Sequence, residues 1–430
     1  MTGALNWLLW GFGIAFVLAL FPLSWLYLRG MFRKDRTFDL RGTPPNTPGF
    51  LLTLASLSDS HLTSGEPIRF FADIEELQKE RIRAIAEAKE SIQFETFLMS
   101  PGSRTRDFAK ALEERARQGV KVQLLADSYG AKDLPEEYWQ SLREAGVEVE
   151  FFNPFSWRSP IDSIRRNHRK LLIIDQTTAL IGGAGISGFW DGEVPPTAQE
   201  PWFDFEVHWQ GEAVGWLTGL FWQHWLSAGG TVDLQQHQPR QSAEHDHGPL
   251  LITSGEDPTP DNSPIRSLFQ TCSISAQKRI WIASPYLLPD QFTCEILAQA
   301  CKRGVDVRVL TMGPCSDKDY VYYTSRQHYG PLLKSGIKLY EYQPSMMHAK
   351  VILIDEELAC MGSANLDPRS FFHNDELNVC SPNSSLIVNI ETFFERGFSR
   401  SKLIEFRRWK RRPLKHKVIG SICDLAYWQL

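Results

Sequence analysis

Two stretches of this 430-residue chain are built to one template, and that duplication limits the fold more than any other feature. The first is "NHRKLLIIDQTTALIGGAGIS", residues 167 to 187, and the second is "MHAKVILIDEELACMGSANLD", residues 347 to 367. Both read H-x-K-x4-D-x6-G-[GS]. The second adds Asn365 two residues after Ser363, where the first has Gly185. With average residue usage, H-x-K-x4-D fills about one window in ten thousand, so two copies mark a repeated unit. The runs "LLII" and "VILI" predict strands buried in a sheet. Side chains two apart on a strand share a face, so His168 projects with Lys170, and His348 with Lys350.

The surroundings repeat as well. The helical pattern "RDFAKALEERARQG" precedes the strand pattern "VKVQLLAD", and "CEILAQACKRG" precedes "VDVRVLTMG". Gly119 and Gly304 fall at the same place in each unit. Helix and strand alternating twice, at a period near 180 residues, predict an α/β architecture made by domain duplication, with parallel sheet. The first half is read as 65–232 and the second as 250–400. The polar stretch 233–249, with His245 and His247 as solvated side chains, is the linker.

The first 28 residues carry no charged side chain, and Ala4 to Leu28 is 25 residues long. A helix needs about 20 to span a bilayer. Trp7 and Trp10 near one end, with Trp25 and Tyr27 near the other, suit the two interfaces. Residues 4–28 are therefore expected to be a transmembrane anchor. Arg29, Arg33, Lys34 and Arg36 follow at once, which places the catalytic part in the cytoplasm as a single-pass protein. A cleaved signal peptide would need a basic leading region, which is lacking. Residues 29–64 read as a juxtamembrane connector and 401–430 as a basic tail. Seven Lys and Arg between Arg407 and Lys417 suit an anionic membrane surface, at about 1 kcal/mol each. The net charge of -5 argues against nucleic acid. Seven cysteines, odd in number and without C-x-x-C, suggest neither a disulfide framework nor a zinc site, and a reducing compartment.

Paired His and Lys with small polar residues converging on one point suit a tetrahedral phosphate. Gly182-Gly183 and Gly362-Ser363 let backbone approach a ligand closely, and Ser363 and Asn365 can donate to a phosphoryl oxygen. The chain resembles the phospholipase D superfamily, named for these HKD motifs. "ASPYLLPD" (283–290), "GSANLDPRSFFHNDELN" (362–378), "PWFDFEVHWQGEAV" (201–214) and "FWQHWLSAGG" (221–230) look like its bacterial cardiolipin synthase branch.

The resemblance implies two phospholipase D-like halves, with mixed, mostly parallel sheets flanked by helices, around a pseudo-twofold site that uses no metal or cofactor. One histidine attacks phosphorus and the other serves as acid and base; His168 is taken as nucleophile and His348 as its partner. Lys170 and Lys350 neutralise the equatorial oxygens, helped by Gly183, Ser363 and Asn365. Asp204 in the first half and Glu376 in the second are the acidic residues expected behind the histidines. Asp175 and Asp355 complete the catalytic motifs and suit holding their turns. Gly185 departs from the pattern by removing one amide donor.

Three functions follow. A membrane-bound phosphatidyltransferase would pass a phosphatidyl group, with phosphatidylglycerol the expected substrate, to a lipid hydroxyl in the bacterial inner membrane. A phospholipase D-type phosphodiesterase would use water instead, on phospholipid or nucleic acid. A scaffold with a surviving phosphate pocket is the third. Oligomeric state is not legible.

Overall fold

Each half opens on a capped helix that feeds a strand. Asp73 accepts the Glu76 backbone N–H ahead of helix Ile74–Glu87, and Ser263 accepts that of Arg266 ahead of helix Pro264–Ser275. The order then runs in parallel through the two halves. Strands Ser91–Thr96, Lys121–Asp127 and Glu148–Phe152 alternate with helices Ser103–Arg117 and Glu136–Glu144. Strands Arg279–Ala283, Asp306–Met312 and Lys338–Tyr342 alternate with helices Gln291–Lys302 and Asp319–Lys334. Gly119 and Gly304 sit just past matching helices with φ of 88° and 93°, the left-handed position that ends a helix cheaply only for glycine. A computed structural model describes residues 2–28, 41–159, 162–193, 200–234 and 247–430. Arg29, Arg33, Lys34, Arg36 and His245 lie outside the described residues.

Each template becomes a hairpin followed by a further strand. Leu171–Ile174 pairs with Thr178–Gly182, which pairs with Glu206–Gln210. Val351–Ile354 pairs with Leu358–Gly362, which pairs with Asn374–Ser381. These strands build a seven-stranded sheet in the first half and a ten-stranded one in the second, counted over the described residues. Both sheets are mixed, yet antiparallel pairs outnumber parallel ones, contrary to the expectation of mostly parallel sheet. The reason is local: the template strands are joined by turns of a few residues, which can only reverse the chain. Parallel pairing is kept where helices cross over, as in Ser91–Thr96 with Lys121–Asp127 and Arg279–Ala283 with Asp306–Met312.

The motif strands are buried on both faces, as their unbroken apolar runs require. Leu171 and Ile173 face a core shared with Val351 and Leu353 of the other half, while Leu172 and Ile174 face the outer helices of the first half. Helices Ala213–Ser227 and Ser384–Ser399 fill the space between the sheets. There Phe203 and Phe393, one from each half, stack with ring centroids 4.1 Å apart.

Chain ends depart from their expected roles. Strand His61–Ser64, inside the expected connector, pairs with Pro249–Gly255 at the edge of the second sheet. Phe50, Leu54 and Ala55 of helix Phe50–Leu57 are buried in that half's core. The expected tail folds too: Ser401–Leu403 pairs with Lys338–Tyr342, and Trp428 and Leu430 are buried. Short segments of this kind carry little periodicity, so their pairing is decided by the sheet edge they meet. Cys360 and Cys380, directly opposed on adjacent strands, form a disulfide. Antiparallel register brings their Cα atoms to 4.0 Å, a proximity that sequence spacing does not reveal. Helix Thr2–Leu28 forms and touches the C-terminal turn Asp424–Gln429. Among the described residues no helix is long and apolar enough to cross a membrane, so the expected span does not emerge from the fold.

Candidate active site

The two halves meet by exchanging backbone bonds at the motif entrances. Arg166–Asn167 pairs with Asn374–Asp375, and the His168 N–H donates to the Asp375 carbonyl at 2.9 Å. In the mirror-image contact the Phe203 N–H donates to Met346, and the His348 N–H to Phe203, each at 2.8 Å. Every motif strand therefore enters beside the acidic strand of the opposite half.

The carboxylates consequently cross over. His168 Nδ1 lies 2.9 Å from Glu376, and His348 Nδ1 lies 2.9 Å from Asp204. A carboxylate accepts, so each Nδ1–H donates and each Nε2 is left with its lone pair for chemistry. Glu376 also accepts from Ser363 at 2.5 Å and Ser370 at 2.7 Å. Asp204 accepts from the Trp190 indole N–H at 3.0 Å. Gly183 is required here, because a Cβ would sit 2.4 Å from Asp204 Oδ1.

Lys170 and Lys350 complete the group. The Lys170 ammonium donates to its own His168 carbonyl at 2.5 Å, and the Lys350 ammonium lies 3.1 Å from His348 Nε2. The charges act across the junction: Lys350 lowers His168, Lys170 lowers His348, and Lys350 lowers Lys170. Burial is the main cause of the shifts. It brings both imidazoles down to about 4 against the pull of their carboxylates. It brings Lys170 to about 7 and Lys350 to about 8. Burial alone would raise Glu376, but His168, Lys170 and Ser363 hold it down to about 2. The result is a pair of neutral imidazoles between two destabilised cations, a site short of one anion.

Not every expected residue converges on that point. Asp175 and Asp355 stand at the far ends of the motif strands, in left-handed turns with φ of 51° and 52°. Asp175 accepts the backbone N–H groups of Lys89, Glu90 and Ser91, and Asp355 those of Gln277, Lys278 and Arg279. They tie each hairpin to the sheet and do not reach the histidines. Ser363 is buried against Glu376, so it orients the carboxylate and is not free to reach a phosphoryl oxygen. Asn365 does line the cavity beside His168, and its Oδ1 is buried without a partner.

Gly185 now has an explanation. A Cβ there would lie 2.5 Å from the Leu98 carbonyl and 3.2 Å from the Trp190 ring. The first half thus gives up asparagine and seats a tryptophan, which binds Asp204 and meets the His348 ring edge-on at 5.2 Å. Trp202 packs on the same ring at 5.3 Å, while Phe97 meets His168 at 5.3 Å. Sequence reasoning missed Trp190, and also Arg166, Asp367 and Arg369, which line a cavity of about 280 Å³ with His168. The signal for the last two was available, since they lie inside the quoted "GSANLDPRSFFHNDELN".

Known proteins resemble this chain across both motifs. A family model described as "Cardiolipin synthase, PLD-like domain" matches residues 82–188 and 273–397, which bracket both motifs. The chain is 32% identical over 376 residues to the cardiolipin synthase of Alkalihalophilus pseudofirmus, covering 85% of this chain and 74% of that protein. It is 31% identical over 360 residues to cardiolipin synthase 1 of Bacillus cereus, covering 80% and 69%. The solved structure of the phosphatidylserine synthase of Haemophilus influenzae superimposes with a TM-score of 0.69 at 13% identity. That match covers 87% of this chain and 98% of that one, a likeness of fold.

Proposed function

Because the chain belongs to the cardiolipin synthase family of phospholipase D-like proteins, we propose that it transfers a phosphatidyl group from phosphatidylglycerol to the hydroxyl of a second lipid. The observation that carries this reading is the crossed pair of carboxylate-held histidines with two lysines between them.

In the first half-reaction, His168 Nε2 attacks phosphorus, and the bond from phosphorus to the glycerol oxygen breaks. His348, protonated, gives its proton to the leaving oxygen. In the second, His348 takes the proton of the incoming hydroxyl, that oxygen bonds phosphorus, and the phosphorus–nitrogen bond breaks. His168 is given the attack because it lines the open cavity, whereas His348 is walled by Trp190 and Trp202. The proton on His348 arrives with substrate: burial and then the Lys350 charge keep the empty site's imidazole neutral, and a phosphodiester anion between the lysines offsets both. Lys170 and Lys350 then hold the equatorial oxygens as charge develops. One phosphodiester replaces another, so no nucleotide is consumed. Purified protein given labelled phosphatidylglycerol is expected to yield cardiolipin and free glycerol. Phosphatidic acid as the sole product would favour hydrolysis, and no product at all would refute both.

The lysine shifts set a pH dependence. An ammonium brought down to about 7 or 8 is charged below that range and neutral above it. Above pH 8 the free site loses the charges that bind the phosphodiester, so kcat/KM is expected to fall along a basic limb between pH 7 and 8. A flat profile to pH 10, measured on phosphatidylglycerol in mixed micelles, would contradict this.

The reading includes attachment to a bacterial inner membrane by the uncharged segment 4–28, with the catalytic part cytoplasmic. Trp7, Trp10, Phe12 and Phe21 of that helix are exposed, which supports an apolar surrounding. The helix Leu414–Cys423 supports a second contact. Leu414, Val418 and Ile422, four apart, are exposed on one side of it, with Arg411, Lys415 and Lys417 nearby. An apolar stripe edged with cations lies flat on an anionic bilayer. Replacing Val418 and Ile422 together by Asp is expected to raise the lipid KM at least about a hundredfold, since the two apolar side chains contribute about 1.5–3 kcal/mol each when buried and 1.4 kcal/mol is about tenfold, while kcat holds. An unchanged KM would remove this helix from the interface.

A further inference from the structure

We propose that Gln429 and Leu430, which line the cavity beside His168, keep water from the phosphohistidine and so direct the phosphatidyl group to a lipid hydroxyl. This inference rests on the phosphatidyl-transfer reading and deepens it: the choice between lipid and water is set by a segment outside both repeats.

The expected tail is pinned to the second half by its last turn. Asp424 accepts from His328 Nε2 at 2.7 Å, and the Tyr427 hydroxyl donates to the Leu288 carbonyl at 2.9 Å. The Trp428 carbonyl accepts from His373 Nε2 at 2.9 Å, and its indole packs on Phe372 with ring centroids 5.2 Å apart. These contacts deliver the next two residues, Gln429 and Leu430, to the cavity that His168 also lines. Leu430 is buried there, in the apolar cluster that includes Trp190 and Trp202, the rings that wall His348. One apolar surface therefore runs from the acid and base to the cavity of the nucleophile. Helix Thr2–Leu28 touches the same turn, so the segment links the cavity to the chain's apolar beginning.

This wall is separate from the machinery that breaks and makes bonds. The crossed histidines, their carboxylates and both lysines are complete without it. The family model matches 82–188 and 273–397, which leaves residues 424–430 outside it. What the wall changes is which hydroxyl reaches phosphorus. After the first half-reaction His348 is neutral and takes a proton from whatever acceptor arrives. If that is water, its proton goes to His348, its oxygen bonds phosphorus, the phosphorus–nitrogen bond breaks and phosphatidic acid leaves. The side chains of Phe97, Val321 and Leu430, all lining the cavity, offer a water molecule no hydrogen bond, and a water stays only where it finds polar partners. A lipid hydroxyl arrives with acyl chains to which an apolar surface is favourable. Excluding water in this way suppresses hydrolysis of a reactive intermediate.

The test reads a product ratio within one reaction, so that general loss of activity cancels. Full-length protein is given vesicles of acyl-labelled phosphatidylglycerol, and phosphatidic acid is measured against cardiolipin. Leu430→Ala is expected to raise that ratio about tenfold, the usual scale for a few methylenes at a specificity-setting contact. Gln429→Ala together with Leu430→Ala is expected to raise it further, and Leu430→Met, which keeps the volume, to hold it near wild type. Tyr427→Phe keeps the ring and removes only the bond to Leu288, so it reads the same wall if Leu430→Ala fails to fold; a rise of several-fold is expected. Ile404→Ala is the control, a loss of packing in the second half's core away from the cavity lining. Its ratio is expected to stay unchanged. An unchanged ratio in the Leu430 and Tyr427 variants would overturn the wall even if total rates fell, and so would an equal rise in Ile404→Ala.

Failure of the underlying reaction looks different. Wild-type protein that makes phosphatidic acid alone would refute the transfer reading and the wall together. If wild-type protein makes neither product, the transfer reading fails and the wall is judged by access to the histidines. Diethyl pyrocarbonate modifies neutral imidazoles, and peptide mass spectrometry reads His168 and His348 separately. Faster modification of both in Leu430→Ala than in wild type, with His61 unaffected, upholds the wall. Equal rates refute it.

Discussion

His348→Ala and His168→Ala are each expected to lower cardiolipin formation by at least about ten-thousandfold, and to differ in what they leave on the protein. With His168 as nucleophile, His168→Ala forms no phosphoenzyme. His348→Ala still binds donor and keeps the attacking imidazole, but it lacks the group that activates the acceptor. Given a donor whose leaving group needs no proton, such as a phosphatidyl nitrophenol, it should accumulate phosphatidyl on His168. Acidic handling is to be avoided, since a phosphorus–nitrogen bond is acid-labile; mass spectrometry at neutral pH is the measurement. Label found on His348 in the His168→Ala protein would reverse the two roles while keeping the chemistry. Label on neither, with both variants active, would end the proposal.

The second large effect belongs to the crossed carboxylates. Glu376→Gln keeps size and hydrogen bonding but removes the charge that favours the His168 imidazolium and fixes its tautomer. An amide can present its NH₂ to Nδ1, which would flip the proton to Nε2 and blunt the nucleophile. A loss of roughly a hundredfold to ten-thousandfold in kcat is expected, in keeping with other histidines that lose an orienting carboxylate. Asp204→Asn is expected to act likewise through His348. The decisive measurement is a double variant: Glu376→Gln added to His168→Ala should cost almost nothing further, because both act on one ring, whereas Glu376→Gln added to His348→Ala should compound. Additivity in the first pair would show that Glu376 works through something other than His168.

Much of this site could be read from the residues. The two-residue spacing of His and Lys, the repeat of that spacing, and the acidic residues in "WFDFE" and "NDELN" were sufficient to name six polar members. What could not be read was who pairs with whom. Glu376 lies 28 residues beyond His348, inside the same half, yet serves His168, because strand Asn374–Ser381 runs beside Arg166–Asn167. Tertiary pairing of this kind leaves no periodicity. The role of Ser363 was misjudged for a related reason: a small polar residue near a phosphate site can face the ligand or the carboxylate behind the histidine, and only the Glu376 contact decides. Sheet direction went wrong because helix-linked strands dominate the pattern by length, while the short hairpin turns that set antiparallel pairing occupy few residues. Gly185 was read as a lost donor; the Leu98 carbonyl and the Trp190 ring show that no side chain fits there.

The exchange of acidic partners between the halves has a genetic corollary. Damage to one repeat is felt by the histidine of its twin, so neither copy can drift alone and neither can be transplanted with its function intact. A single repeat standing alone as a monomer would carry an imidazole with no counter-charge and a carboxylate with nothing to steer. Selection on this molecule must therefore act on the couple as one hereditary unit.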